Sequence, residues 1–179
     1  MTFFIGIIPP DEYKKRVSAF RNDWENHYID EIVEPHITLK SQGGLTEDLK
    51  WLNRIKRVCS ETSPFCIKLD QPMFFGEEIL YLSAQSDELH ILHGKLVGAV
   101  TPSKELVKKY FELEDFVPHL TLGKTAYGLT KKELKEMAAL AESEIGPFPV
   151  IDVSFIRIYQ EVESGRYEEF KDIPLGDNF

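Results

Sequence analysis

Two near-identical pentapeptides, Pro35-His36-Ile37-Thr38-Leu39 and Pro118-His119-Leu120-Thr121-Leu122, sit in opposite halves of the chain. A β-strand sends successive side chains to opposite faces. Ile37 and Leu39 can therefore be buried together only if His36 and Thr38 share the other face. The second copy repeats this with Leu120 and Leu122 inward and His119 and Thr121 outward. One such string is expected by chance on the order of once in ten thousand chains of this size, and two are far rarer. Each strand offers an imidazole beside a hydroxyl. Two such strands facing each other supply a general base and a general acid around one phosphate.

The rest of the chain reads as alternating elements. Phe3-Phe4-Ile5-Gly6-Ile7-Ile8 is an apolar strand closed by Pro9-Pro10, and Asp11 begins a helix to about Asn26 with Tyr13, Val17, Phe20 and Trp24 on one stripe. The first motif strand spans about Ile32 to Lys40. Gly43-Gly44 breaks it, and a helix from Thr46 carries Leu49, Leu52, Ile55 and Cys59. Strands follow at Phe65 to Leu69, Phe74-Phe75 and Ile79 to Ala84, with a turn expected at Gln71-Pro72. A helix covers about Asp87 to Val100, and the charged stretch from Thr101 to Asp115 is partly helical in pattern. The second motif strand runs from Phe116 to Gly123, then a helix from Thr130 to Gly146-Pro147, then strands over Phe148 to Tyr159 and Tyr167 to Ile173. Each motif strand is followed by a glycine-containing break, a helix and two strands, a weak duplication in element order. This predicts an α+β fold in one two-lobed domain over residues 1–179, with both His-Thr strands in a central cleft.

The formal charge of −9 bears on function. A protein gripping a long duplex normally presents a basic face, because phosphate contacts supply most of the affinity. Acidic residues exceed basic ones in both halves, so no long duplex nucleic acid is expected as a partner. A small phosphorylated substrate or an RNA end needs only a few local cations. No apolar run approaches the roughly 20 residues of a membrane helix, and no basic region precedes a cleavable apolar stretch. A cytoplasmic monomer is the expectation, with Cys59 and Cys66 as buried thiols.

The paired motifs, their order and the opening strand resemble the 2H phosphoesterase superfamily, specifically its 2′-5′ RNA ligase-like (LigT-like) branch, over nearly the whole chain. The resemblance implies a duplicated bilobal fold in which two antiparallel sheets face a groove, with helices outside and no metal or other cofactor. It implies His36 and His119 as the catalytic pair, with Thr38 and Thr121 on phosphate oxygens. Lys40 is placed on the same face by strand alternation. Lys124, where better-known members often carry arginine, follows Gly123. Phe4, Tyr159 and Phe75 are candidates for stacking a base. The activity expected is hydrolysis of a cyclic phosphodiester of a nucleotide or RNA end. A non-catalytic module binding a phosphorylated RNA end, or a 2′-5′ RNA ligase, is the alternative.

Other polar clusters read as structural. His90 and His93 lie three apart on a helix but lack a third ligand. His27 sits near a helix end, and Arg54, Lys56 and Arg57 form a solvated helix face. Neither a P-loop nor a dinucleotide fingerprint occurs.

Overall fold

The computed structural model describes residues 1–176. Its elements, in chain order, are β1 (Phe3–Ile7), α1 (Asp11–Arg21), α2 (Ile29–Ile32), β2 (Ile37–Lys40), α3 (Leu52–Ser60), β3 (Phe65–Phe75), β4 (Ile79–Gln85), α4 (Asp87–Val100), α5 (Lys104–Lys109), β5 (His119–Lys124), α6 (Lys131–Ile145), β6 (Val150–Val153), β7 (Phe155–Glu163) and β8 (Arg166–Pro174). The fold is α+β, as expected. Among the described residues the strands form one curled antiparallel sheet in the order β6-β3-β4-β5-β2-β1-β7-β8. The two motif strands are its centre, joined through the single pair Ile37↔Leu120. The two expected sheets are therefore halves of one sheet.

The halves exchange strands. β3 follows β2 in the chain yet pairs with β4 and β6, whereas β7 follows the second motif and pairs with β1. The expected strand over Phe148 to Tyr159 is broken at Ser154, where the chain passes from β6 at one end of the sheet to β7 in the other half. The duplication is thus real in element order but interlocked in space. The helices cross over in the same way: α1 packs against β5 and α6, while α4 packs against β2 and α3.

Local chemistry accounts for the boundaries. The helix expected from Thr46 starts only at Leu52, because Leu49 adopts a left-handed φ of 55° that no helix accommodates. At α6, Thr130 Oγ1 accepts from Glu133 N and Glu133 Oε2 accepts from Thr130 N, a reciprocal cap. Gln71-Pro72 is no turn. β3 runs through it as a bulge between Leu69 and Pro72, tolerated because β6 pairs only as far as Lys68 and leaves that stretch at an edge. Ile37, Leu39, Leu120 and Leu122 are all fully buried in one core with the helices. Burying each contributes about 1.5–3 kcal/mol, which fixes the face that His and Thr must take.

Candidate active site

His36, Thr38, His119 and Thr121 line one cleft of about 360 Å³. The two imidazoles are held alike. His36 Nδ1 lies 2.8 Å from the Glu34 carbonyl and His119 Nδ1 lies 2.6 Å from that of Val117. A carbonyl only accepts, so each Nδ1 carries its proton and each Nε2 is left for chemistry. Thr38 Oγ1 is 3.2 Å from His36 Nε2. Each ring also packs against two aromatics. Phe4 and Tyr159 flank His36 at 5.1 and 5.6 Å, and Phe75 and Tyr81 flank His119 at 5.0 and 5.2 Å. In each half one aromatic comes from the neighbouring strand and the other from the exchanged strand.

This packing removes water and disfavours the imidazolium. Burial pushes His36 down to about 4, with the nearby Arg21, His119 and Lys124 acting in the same direction against the Glu34 carbonyl. Burial also lowers His119, and Lys124 adds to the effect. The free cleft therefore holds two mainly neutral imidazoles near neutrality.

Both motif strands carry a bulge at the leucine that follows the threonine. Along β2, Thr38 opposes Gly6 and Lys40 opposes Ile5, so Leu39 is extra; along β5, Thr121 opposes Tyr81 and Gly123 opposes Leu80, so Leu122 is extra. An extra residue interrupts the ladder and reverses the alternation beyond it. The two leucine carbonyls find partners on the crossing helices: His93 Nδ1 donates to Leu39 O at 2.7 Å, and Arg21 Nε donates to Leu122 O at 3.2 Å. The bulges also sort the lysines. Lys40 turns away from the cleft and is fully buried against Glu112, which corrects its placement on the catalytic face. Gly123 turns toward α6, where a Cβ would stand 2.9 Å from Leu134 Cδ2, and Lys124 is thereby delivered into the cleft. Its Nζ lies 5.5 Å from the Tyr127 ring centroid, with no carboxylate in ion-pair reach among the described residues.

The aromatic candidates separate. Phe4 lines the cleft. Tyr159 does not: it is buried beneath Phe4, stacked at 4.6 Å, and donates its hydroxyl to Glu34 Oε1 at 2.8 Å. Phe75 supports His119 from the side.

Several cleft residues were not among the sequence candidates. Glu34 gathers Lys14 at 2.7 Å, Arg157 at 2.8 Å and Tyr159 at 2.8 Å. Burial raises its carboxyl, but these three donors outweigh it and hold the group below its usual range. Arg21 is buried, pairs with Asp30 at 2.5 Å and donates to the Thr121 carbonyl, so it fixes the second motif from behind. Ile29, Ile32, Val33, Ser41, Gln42, Tyr127, Gly165 and Tyr167 complete the lining. Glu34, Ser41 and Gln42 have no sequence signal beyond their nearness to the first motif, and Gly165 and Tyr167 lack even that.

The remaining histidines are structural. His93 Nε2 accepts from Leu113 N at 2.9 Å and its ring stacks on Phe116 at 3.8 Å, while His90 is exposed. His27 contacts Asn22 Oδ1 at 2.9 Å. Among the described residues no group of three or more His, Cys, Asp or Glu is placed to hold a metal ion. Cys59 is buried and free, but Cys66 is exposed, contrary to the expectation of two buried thiols. No helix among the described residues is long and apolar enough to cross a membrane.

The sequence profile of the 2′-5′ RNA ligase superfamily matches residues 9–161. A provisionally named phosphoesterase of Staphylococcus epidermidis (strain ATCC 12228) is 24% identical over 184 residues, covering 96% of this chain and 94% of the relative. The fold is similar to the crystal structure of TT0787 of Thermus thermophilus, with a TM-score of 0.66, 16% identity and full coverage of both chains. It is also similar to Escherichia coli LigT complexed with 3′-AMP, with a TM-score of 0.62, 17% identity and 98% coverage of each chain.

Proposed function

The chain belongs to the 2′-5′ RNA ligase superfamily, and from that premise we propose that it is a metal-independent phosphoesterase opening a cyclic phosphodiester of a nucleotide or RNA end. The observation that carries this reading is the matched pair of Nδ1–carbonyl hydrogen bonds, which leaves two Nε2 atoms in one cleft. One neutral Nε2 removes a proton from the attacking water. The other, protonated, gives its proton to the departing ribose oxygen. A bound phosphodiester carries negative charge and so opposes the burial that keeps both rings neutral; it draws a proton onto the acid only when substrate is present. General acid and general base contributions are typically about a hundred- to ten-thousand-fold each. Thr38 and Thr121 donate to the non-bridging oxygens, and the Lys124 ammonium adds charge stabilisation where water is scarce.

The small cleft and the acidic balance of the chain favour a small ester over a long RNA. Thus 3′-AMP, the ligand of the similar E. coli LigT structure, is a reasonable product-like probe. The test is a turnover screen, in excess chelator, of 2′,3′-cyclic nucleotides, ADP-ribose 1″,2″-cyclic phosphate and 2′-5′-linked oligomers. Hydrolysis of a cyclic ester in chelator is the expected result. Binding of 3′-AMP without turnover of any member would favour a binding module, and joining of oligomers would favour a ligase.

A further inference from the structure

We propose that Lys40 and Glu112 are positioning residues for one wall of the cleft, the Ser41–Gln42 turn, which holds the non-reacting part of the substrate. This rests on the cleft being the substrate site, as proposed above. Lys40 Nζ makes three bonds: to Glu112 Oε1 at 2.8 Å, Ser41 O at 2.8 Å and Gly43 O at 2.7 Å. An ammonium has three protons, so every donor is spent, and two of the three grip the turn itself. The side chains of Lys40 and Glu112 are 0% and 1% exposed.

Such a pair is a poor stability device. Desolvating both charges is costly, and replacing a buried pair by apolar residues is often neutral or stabilising. The surroundings show further cost. Phe111 and Leu113, on either side of Glu112, have φ of 52° and 58°, the left-handed region that side chains disfavour, and Glu112 Oε2 has no partner. The backbone is strained at 111 and 113 to bring one carboxylate onto Lys40.

The result is a turn wedged in place. A Cβ on Gly43 would meet Leu106 Cβ at 3.2 Å and Tyr110 Cδ2 at 3.3 Å, and one on Gly44, whose φ is 81°, would meet Val100 Cγ1 at 2.6 Å. On its other side the turn presents Ser41 and Gln42 to the cleft, and Gln42 Nε2 donates to the Tyr167 hydroxyl at 3.3 Å. β2 and β5 are antiparallel, so residues following β2 and residues following β5 lie at opposite ends of the cleft. The uncharged wall of Ser41, Gln42 and Tyr167 therefore stands opposite Lys124 and Tyr127. Its hydroxyl and amide groups suit the neutral hydrogen-bonding portion of a nucleotide, while the histidines and threonines hold the phosphate.

The test compares Lys40→Met, Glu112→Leu and the double variant Lys40→Met/Glu112→Leu. Each single variant leaves one charge buried and unpaired, so its Tm is expected to drop, whereas the double variant is expected near the wild-type Tm. A purely structural pair would then be fully rescued. A positioning pair is not rescued, because the turn has lost its ammonium. In the double variant, backbone amides of residues 41–44 are expected to exchange at least about tenfold faster, with those of 36–39 and 119–122 unchanged. Affinity for 3′-AMP is expected to fall about tenfold while affinity for inorganic phosphate stays within about twofold. Wild-type exchange at 41–44 in a stable double variant overturns the proposal, and so does equal loss of both ligands. Should the double variant not fold, Lys40→Met, which also removes the ammonium from the turn, carries the same exchange and affinity comparisons below its own Tm. A wild-type protein that binds neither ligand speaks against the proposed function, while the exchange measurement still decides this one.

Discussion

His36 and His119 donate Nδ1–H to the carbonyls two residues upstream, those of Glu34 and Val117, an equivalent anchoring that leaves both Nε2 atoms in one cleft. The equivalence ends outside the rings. The Glu34 side chain is anchored by Lys14, Arg157 and Tyr159, whereas Val117 is exposed. His36 is thus set in a braced wall and His119 at an open one.

The pH profile of turnover should separate the free protein from its complex. Burial lowers both imidazoles in the free cleft, so the proton needed by the general acid is lost at a pH below the ordinary histidine value. On the proposed function, a bound phosphodiester anion would oppose this lowering. The alkaline limb of kcat should therefore lie at higher pH than that of kcat/KM, each limb belonging to the coupled pair. Coincident limbs would show that substrate does not recruit the proton.

Stability should fall on acidification, with a sign set by the same burial. His36 has a folded pKa of about 4 against about 6.5 unfolded. Above pH 6.5 neither state binds the proton and full stability is present. As pH falls from about 6.5 to about 4, only the unfolded chain gains it, so stability is lost across that window. The loss is at most about 3.5 kcal/mol for this residue, at about 1.4 kcal/mol per pKa unit. Urea midpoints measured from pH 7.5 to 4 should decline less steeply in His36→Gln than in wild type; parallel declines would mean that His36 titrates normally in the folded state.

Lys124 should act on charge rather than shape. Lys124→Gln keeps a similar chain but removes a half-buried cation without a carboxylate partner among the described residues. Its KM for a cyclic nucleotide should rise about tenfold, and phosphate should compete less well. Added salt should weaken wild-type binding more than that of the variant. An unchanged KM would place Lys124 off the substrate's path.

The threonines should matter less than the histidines. Removing one neutral hydrogen bond costs about 0.5–1.5 kcal/mol, roughly three- to tenfold, so Thr38→Ala and Thr121→Ala should lower kcat/KM on that scale. Serine at either position should recover most of it. A loss as large as that of a histidine variant would give the hydroxyl a part in proton transfer.

The centre of the site was legible because strand alternation needs only a four-residue register: once Ile37, Leu39, Leu120 and Leu122 are buried, the His-Thr pairs have one face left. What alternation could not reveal is where it stops. The extra residue at Leu39 sends Lys40 into the core, and the extra residue at Leu122 brings Lys124 into the cleft, although simple counting favoured Lys40. The strand exchange was hidden for a related reason. Ser154 looks like an ordinary strand position, and only the long-range pairing of β7 with β1 shows that the chain changes halves there. Arg21 and Tyr167 reach the cleft through tertiary packing from α1 and β8, which no local pattern encodes.

The central claim is a two-histidine acid–base pair, and its most direct test is the turnover of 2′,3′-cyclic AMP, in excess chelator, by wild type, His36→Ala, His119→Ala and the double variant. Groups acting as one unit are strongly non-additive. Each single substitution should lower kcat by about a hundred- to ten-thousand-fold, and the double should cost little more than the worse single. Near-normal turnover in either folded single variant, or losses that multiply in the double, would contradict the account.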